Sequence, residues 1–200
     1  MDRYPAPASF QRSEREVKRS RFITSIDHVN NKAQAKAFIA KLRQQYPDAN
    51  HHCWAMIAGA PDDLYQQDQS DDGEPKGTAG KPMLNVLQHA ALGNIIVVVT
   101  RYFGGIRLGA GGLVRAYTRA VSEPLKTLDT QLVVIKQPVG IEVPYAELAG
   151  FEHWLQSTDI DVSEKSFTDS VALTLQVPAE ERQQLIGKLK ILGGQLKTTD

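Results

Sequence analysis

Two hundred residues, 42% of them hydrophobic, can bury one sizeable core or two smaller ones. The formal charge of zero hides a split: residues 1–136 carry 18 Lys and Arg against 13 Asp and Glu, and residues 137–200 carry 5 against 10. A lone cysteine, Cys53, excludes an internal disulfide and fits a reducing compartment, and no apolar run is long enough to span a bilayer. The net of +5 followed by −5 predicts two modules, 1–136 and 137–200, and the basic excess is too small to establish nucleic-acid binding by itself.

Met1–Phe10, with Pro5 and Pro7, reads as a loose lead-in without the apolar core of a signal peptide, so a cytoplasmic location is expected. Ser13–His28 reads as one extended basic segment near a sheet edge, its Arg12, Arg15, Lys18, Arg19 and Arg21 either discouraging edge pairing or meeting phosphates. Asn31–Tyr46 is predicted as an amphipathic helix with Ala33, Ala37, Ile39, Ala40 and Leu42 inward, capped by Asn30 or Asn31 and ended by Pro47. His51–Ala58 reads as a strand. Neighbouring strand residues face opposite ways and no second cysteine exists, so His51, His52 and Cys53 do not make a zinc site.

Tyr65–Leu84 forms a long acidic and turn-rich loop. Its Asp71, Asp72 and Glu74 either hold a hard cation or pair with arginines, and pairing is the preferred reading. Pro75 and Pro82 occupy positions that a phosphate loop reserves for Gly and Ser or Thr, which excludes that motif. Pro82–Leu92 is predicted to be helical.

Ile95–Ser122, IIVVVTRYFGGIRLGAGGLVRAYTRAVS, is the most informative stretch. Ile95–Val99 is β-branched enough for a strand covered on both faces. Gly104, Gly105, Gly109, Gly111 and Gly112 then define a loop, and Leu113–Val121 a helix with Arg115 and Arg119 four residues apart. With Arg101 and Arg107, those arginines surround a glycine loop and a helix start, the elements of an anion or phosphate cradle. Glycines also serve close strand–helix packing; the four arginines favour the anion site. A dinucleotide fingerprint fails here, because Val114 falls at its third glycine.

Gln131–Ile135 is predicted as a strand. Past Pro138 and Gly140 come strand Val139–Val143, helix Tyr145–Gln156, a hairpin of Ile160–Phe167 and Val171–Val177, helix Ala179–Leu192 and a short strand Gln195–Thr198. That βαββαβ order predicts a ferredoxin-like module without a catalytic constellation.

Ser70–Leu84 (SDDGEPKGTAGKPML) and Val98–Tyr117 (VVTRYFGGIRLGAGGLVRAY) resemble the signatures of the IMPACT family, and the two-module plan resembles its bacterial two-domain members. The resemblance implies an α+β protein. Its N-terminal α/β sandwich would be like domain 2 of a small-subunit ribosomal protein, and its C-terminal ferredoxin-like module like domain V of elongation factor G. It implies a translation-linked binding protein. Eukaryotic relatives act in translational control by binding the activator of a stress kinase, using an additional domain, so that role does not carry over whole.

The reading favoured is a non-catalytic partner of RNA, the ribosome or a translation-associated protein, monomeric by default and with no cofactor, metal or membrane. The alternative is an enzyme on a small phosphorylated substrate, using the glycine loop for phosphate and Asp71, Asp72 or Glu74 as metal ligand or base.

Overall fold

The computed structural model describes residues 2–197 and divides into two compact units, residues 4–133 and residues 134 onward with Asp2 and Arg3. Both contain a β-sheet with helices, an α+β arrangement. Thr198, the expected end of the last strand, lies outside the described residues.

β1 (Arg3–Pro7) leads into the first unit and pairs with β7 (Thr130–Val134), at that unit's other end, in a two-stranded ribbon. This replaces the expected loose lead-in. Pro5 and Pro7 suit a short extended ribbon, Tyr4 and Ala6 are buried, and the Tyr4 hydroxyl donates to Asn94 Oδ1. The basic segment is two strands, β2 (Gln11–Val17) and β3 (Ser20–His28), paired antiparallel. The turn between them places Lys18 and Arg19 at φ 48° and 63°. Such two-residue turns favour Asn and Gly, which is why this one left no trace in the sequence.

A five-stranded antiparallel sheet follows, ordered β2-β3-β6-β4-β5, with β4 at His51–Ile57, β5 at Gln67–Ser70 and β6 at Ile95–Tyr102. β5 is polar and lies on the edge, so it carries no apolar alternation to betray it. α1 (Lys32–Gln45) covers one face, and α2 (Gly80–Ala90) with α3 (Ala110–Leu125) covers the other. β6 alternates accordingly: Ile96 and Val98 join the α1 core, while Ile95, Val97 and Val99 join the α2–α3 core. Ile95–Val99 are fully buried, each worth roughly 1.5–3 kcal/mol.

Asn31 caps α1 by accepting from Gln34 N at 2.9 Å. The inward residues of α1 are Ala35, Phe38, Ile39 and Leu42 rather than the expected Ala33, Ala37 and Ala40, because the larger side chains claim the sheet. α3 starts earlier than expected, so Gly111 and Gly112 lie in its first turn instead of in a loop. It also contains Pro124, whose missing N–H leaves the Ala120 carbonyl without its helical donor. The Thr24 hydroxyl of β3 donates to that carbonyl at 2.9 Å.

In the second unit, β8 (Lys136–Val143), β9 (Asp161–Phe167), β10 (Val171–Pro178) and β11 (Gln195–Leu196) form an antiparallel sheet ordered β11-β8-β10-β9. α4 (Leu148–Leu155) and α5 (Arg182–Leu192) pack Phe151, Leu155, Leu185 and Leu189 against Ile141, Val143, Leu173 and Leu175. Gly193 ends α5 at φ 65°. Among the described residues no helix is long and apolar enough to cross a membrane.

Candidate functional site

The two informative stretches of sequence meet beside the sheet, where α2 and α3 begin. The acidic loop closes the start of α2. Asp71 accepts from the backbone N–H groups of Gly77 (2.7 Å), Gly80 (2.9 Å) and Ala79 (3.0 Å). Burial disfavours its charged form, but those three donors outweigh burial and hold the carboxyl below the usual carboxylate range. Asp72 accepts from Arg43 Nη2 at 2.7 Å and from the His52 backbone N–H at 2.6 Å.

Glu74 is carried inward, to 8% exposure. Its Oε1 accepts from Arg101 Nη1 at 2.5 Å and from the Tyr117 hydroxyl at 2.8 Å. Arg101 is itself 5% exposed, bonds Ser20 Oγ through Nη2, and places its guanidinium carbon 5.4 Å from the ring centroid of Phe22 and 5.6 Å from that of Phe103. The structure thus brings Arg101 to Glu74 rather than to the surface. Cys53 Sγ reaches the Tyr117 hydroxyl at 3.2 Å. Burial pushes both the thiol and the phenol up, Tyr117 further through its neighbours Cys53 and Glu74, so neither ionises near neutral pH. Among the described residues no group of three or more His, Cys, Asp and Glu is placed to hold a metal ion.

The start of α3 is open. Its N-cap is Gly109 at φ 73°, which supplies no side-chain acceptor, and its first turn has no acid. The unbonded N–H groups of a helix start carry partial positive charge. Gly109 and Ala110, at this start, line a cavity of about 350 Å³ together with Arg107, Glu74, His51 and Phe103, among others. A second cavity of about 180 Å³ is lined by Arg15, Lys18, Gly112, Arg115 and Arg119, and Leu108 lines both.

The four expected arginines are therefore divided. Arg101 and Arg107 line the first cavity, and Arg115 and Arg119 the second. Among the described residues, Arg15, Lys18, Arg107, Arg115 and Arg119 have no carboxylate within ion-pairing distance. Arg15 and Lys18 join the site because β2 lies against α3, a tertiary contact absent from local sequence pattern. His51 and Asn50 line the first cavity from the start of β4, and only the rejected zinc reading had singled out His51.

The glycines have separate reasons. A side chain at Gly104 would meet the Arg19 backbone at 2.0 Å, so Gly104 lets the chain after β6 approach the β2–β3 turn closely. Gly105, at φ 80°, has open space around it.

A model of the Impact N-terminal domain matches residues 18–125, and a domain of unknown function matches residues 141–192. The IMPACT family member YigZ of Escherichia coli is 42% identical over 189 residues, 94% of this chain and 93% of that protein. An IMPACT family member of Haemophilus influenzae is 42% identical over 177 residues, 88% and 86% of the two chains. A crystal structure of a hypothetical protein superposes with a TM-score of 0.83 at 39% identity, covering 100% of this chain and 98% of the other.

Proposed function

The chain belongs to the IMPACT family, as a bacterial two-domain member, and from that premise we propose that it is a non-catalytic binding protein of the translation machinery that contacts RNA phosphates. The observation that carries this reading is the set of Arg15, Lys18, Arg115 and Arg119 around one cavity, none matched by a carboxylate among the described residues. Unmatched guanidinium and ammonium groups in a concave site attract phosphate and release counterions on contact. Arg107 and the open start of α3 extend the positive field to the adjoining cavity.

The helix–sheet–helix layering of residues 4–133 supports a sandwich like domain 2 of the small-subunit ribosomal protein. The β11-β8-β10-β9 order supports a ferredoxin-like second module. The modules are taken as 1–136 and 137–200, each folding alone; circular dichroism of the two separate pieces checks this, and two unfolded pieces would contradict it.

The functional test is recovery of the tagged full chain from lysate at low salt, identifying copurified RNA and proteins. Ribosomal RNA or ribosomal proteins are expected with the native chain and lost with Arg115→Glu/Arg119→Glu. Equal recovery with both, or turnover of a small phosphorylated compound abolished by Arg107→Ala, would overturn the reading.

A further inference from the structure

We infer that the RNA contacted is single-stranded and that one unpaired base lodges in the cavity between Phe103, Leu108 and Glu74. This rests on the proposed phosphate-binding role of the neighbouring arginines. It adds what those charges alone do not specify, namely the form of the nucleic acid.

The two cavities differ in chemistry although Leu108 joins them. The smaller is walled by Arg15, Lys18, Arg115 and Arg119, a lining suited to a phosphate backbone. The larger has Pro75, Phe103, Leu108 and Leu113 among its walls, and Phe103, though its ring meets Arg101, is 45% exposed and keeps aromatic surface for stacking. Its floor carries the Glu74 carboxylate, whose side chain is 4% exposed.

Only Oε1 of that carboxylate is used by Arg101 and Tyr117. Among the described residues Oε2 takes no hydrogen bond, comes only to 3.9 Å from His51 Nε2, and is absent from the sealed, unpaired atoms of the interior. A buried acceptor left open to a cavity calls for a donor. Arg101 Nε, from the same buried pair, also lacks a partner.

A carboxylate floor disfavours a phosphate and favours a neutral group with N–H donors and an apolar face. A nucleobase has both, through its ring and its amino or imino edge. A duplex presents neither, because its bases are stacked and paired. The phosphate of the lodged nucleotide then falls towards Arg107 and the open start of α3, and the flanking phosphates towards Arg115 and Arg119.

The test titrates the full chain with three labelled probes: an RNA strand of about ten mixed nucleotides, the same strand made abasic throughout, and the blunt duplex. The native chain is compared with Phe103→Ala, Phe103→Tyr and Arg115→Ala/Arg119→Ala, with melting temperatures measured on the same samples. The base-bearing strand is expected to bind about tenfold more tightly than either other probe. Phe103→Ala should remove that preference while keeping the salt dependence, and Phe103→Tyr should retain it.

The abasic comparison needs no variant, so it decides the matter even if Phe103→Ala loosens the fold around Arg101. Equal affinity for strand, abasic strand and duplex would overturn the base site, yet leave the phosphate surface standing if the arginine double variant still weakens binding. Displacement of the strand by an equal concentration of a nucleoside monophosphate would assign the cavity to free nucleotides and also overturn it. No affinity for any probe at low salt would overturn both the base site and the phosphate surface.

Discussion

Two helices start side by side on one face of the same sheet and finish their backbones in opposite ways. α2 is closed from within, because Asp71 takes three of the N–H groups around its first turn. α3 begins at Gly109 with no side-chain acceptor and no acid in its own first turn. A capping side chain stabilises a helix by about 1 kcal/mol, so an uncapped start beside a cavity forgoes that stability and leaves a positive field facing outward. The closed start serves folding, and the open one is free to serve a ligand. Glu74 links them: it is carried by the loop that closes α2, and it lines the cavity in front of α3.

The largest effect is expected where that link is cut. Glu74→Ala would leave Arg101, 5% exposed, and the Tyr117 hydroxyl without their acceptor. Breaking such a buried pair from one side costs about 3–5 kcal/mol, readable in denaturant unfolding. A loss below about 1 kcal/mol would mean that the pair does not hold the two starts together.

Opening the closed start should cost less. Asp71→Ala is expected to destabilise by about 2 kcal/mol, at the upper end for a helix cap, because three donors lose one acceptor. The sign with pH follows from its lowered carboxyl. That stabilisation is present above the unfolded value near 4 and fades as pH falls through the lower folded value. Native chain and Asp71→Asn should therefore differ most near neutrality and converge in acid. A gap that stayed constant down to about pH 2 would contradict the charged cap.

Closing the open start is the reciprocal change. Ala110→Asp places an acid in the first turn of α3 and should raise stability by about 0.5 kcal/mol while weakening RNA binding. Tighter RNA binding in this variant would contradict a positive site there.

The smallest expected effect is that of Mg²⁺, which should leave the melting temperature unchanged, since Asp71, Asp72 and Glu74 already have protein partners. A clear stabilisation abolished by Asp72→Ala would restore the cation reading.

Much of this arrangement is legible in the sequence. Ile95–Val99 reads as a strand buried on both faces, and Leu113–Val121 as a helix, which the structure extends to Ala110–Leu125. The βαββαβ order of the second unit is equally plain, most of all in β10, whose apolar and polar residues alternate. Signals that depend on partners were silent. The Lys18-Arg19 turn uses residues that rarely take positive φ, and β5 is too polar to alternate.

The arginines of the candidate site are legible in composition, and their placement is not. Four arginines near a glycine loop were visible, but burial sends Arg101 to Glu74, and the β2–α3 contact supplies Arg15 and Lys18 in its place. The glycines looked alike in sequence. In three dimensions Gly104 answers a close backbone approach and Gly109 a positive φ at a helix start.

The most direct test of the open start and its arginines as a phosphate surface is the salt dependence of single-stranded RNA affinity. Each phosphate contact removed lowers the log–log slope by about 0.7. Arg115→Ala/Arg119→Ala is predicted to weaken binding at low salt and to flatten that slope by about 1.4, with the melting temperature unchanged. Native affinity and native slope in that variant would contradict the account.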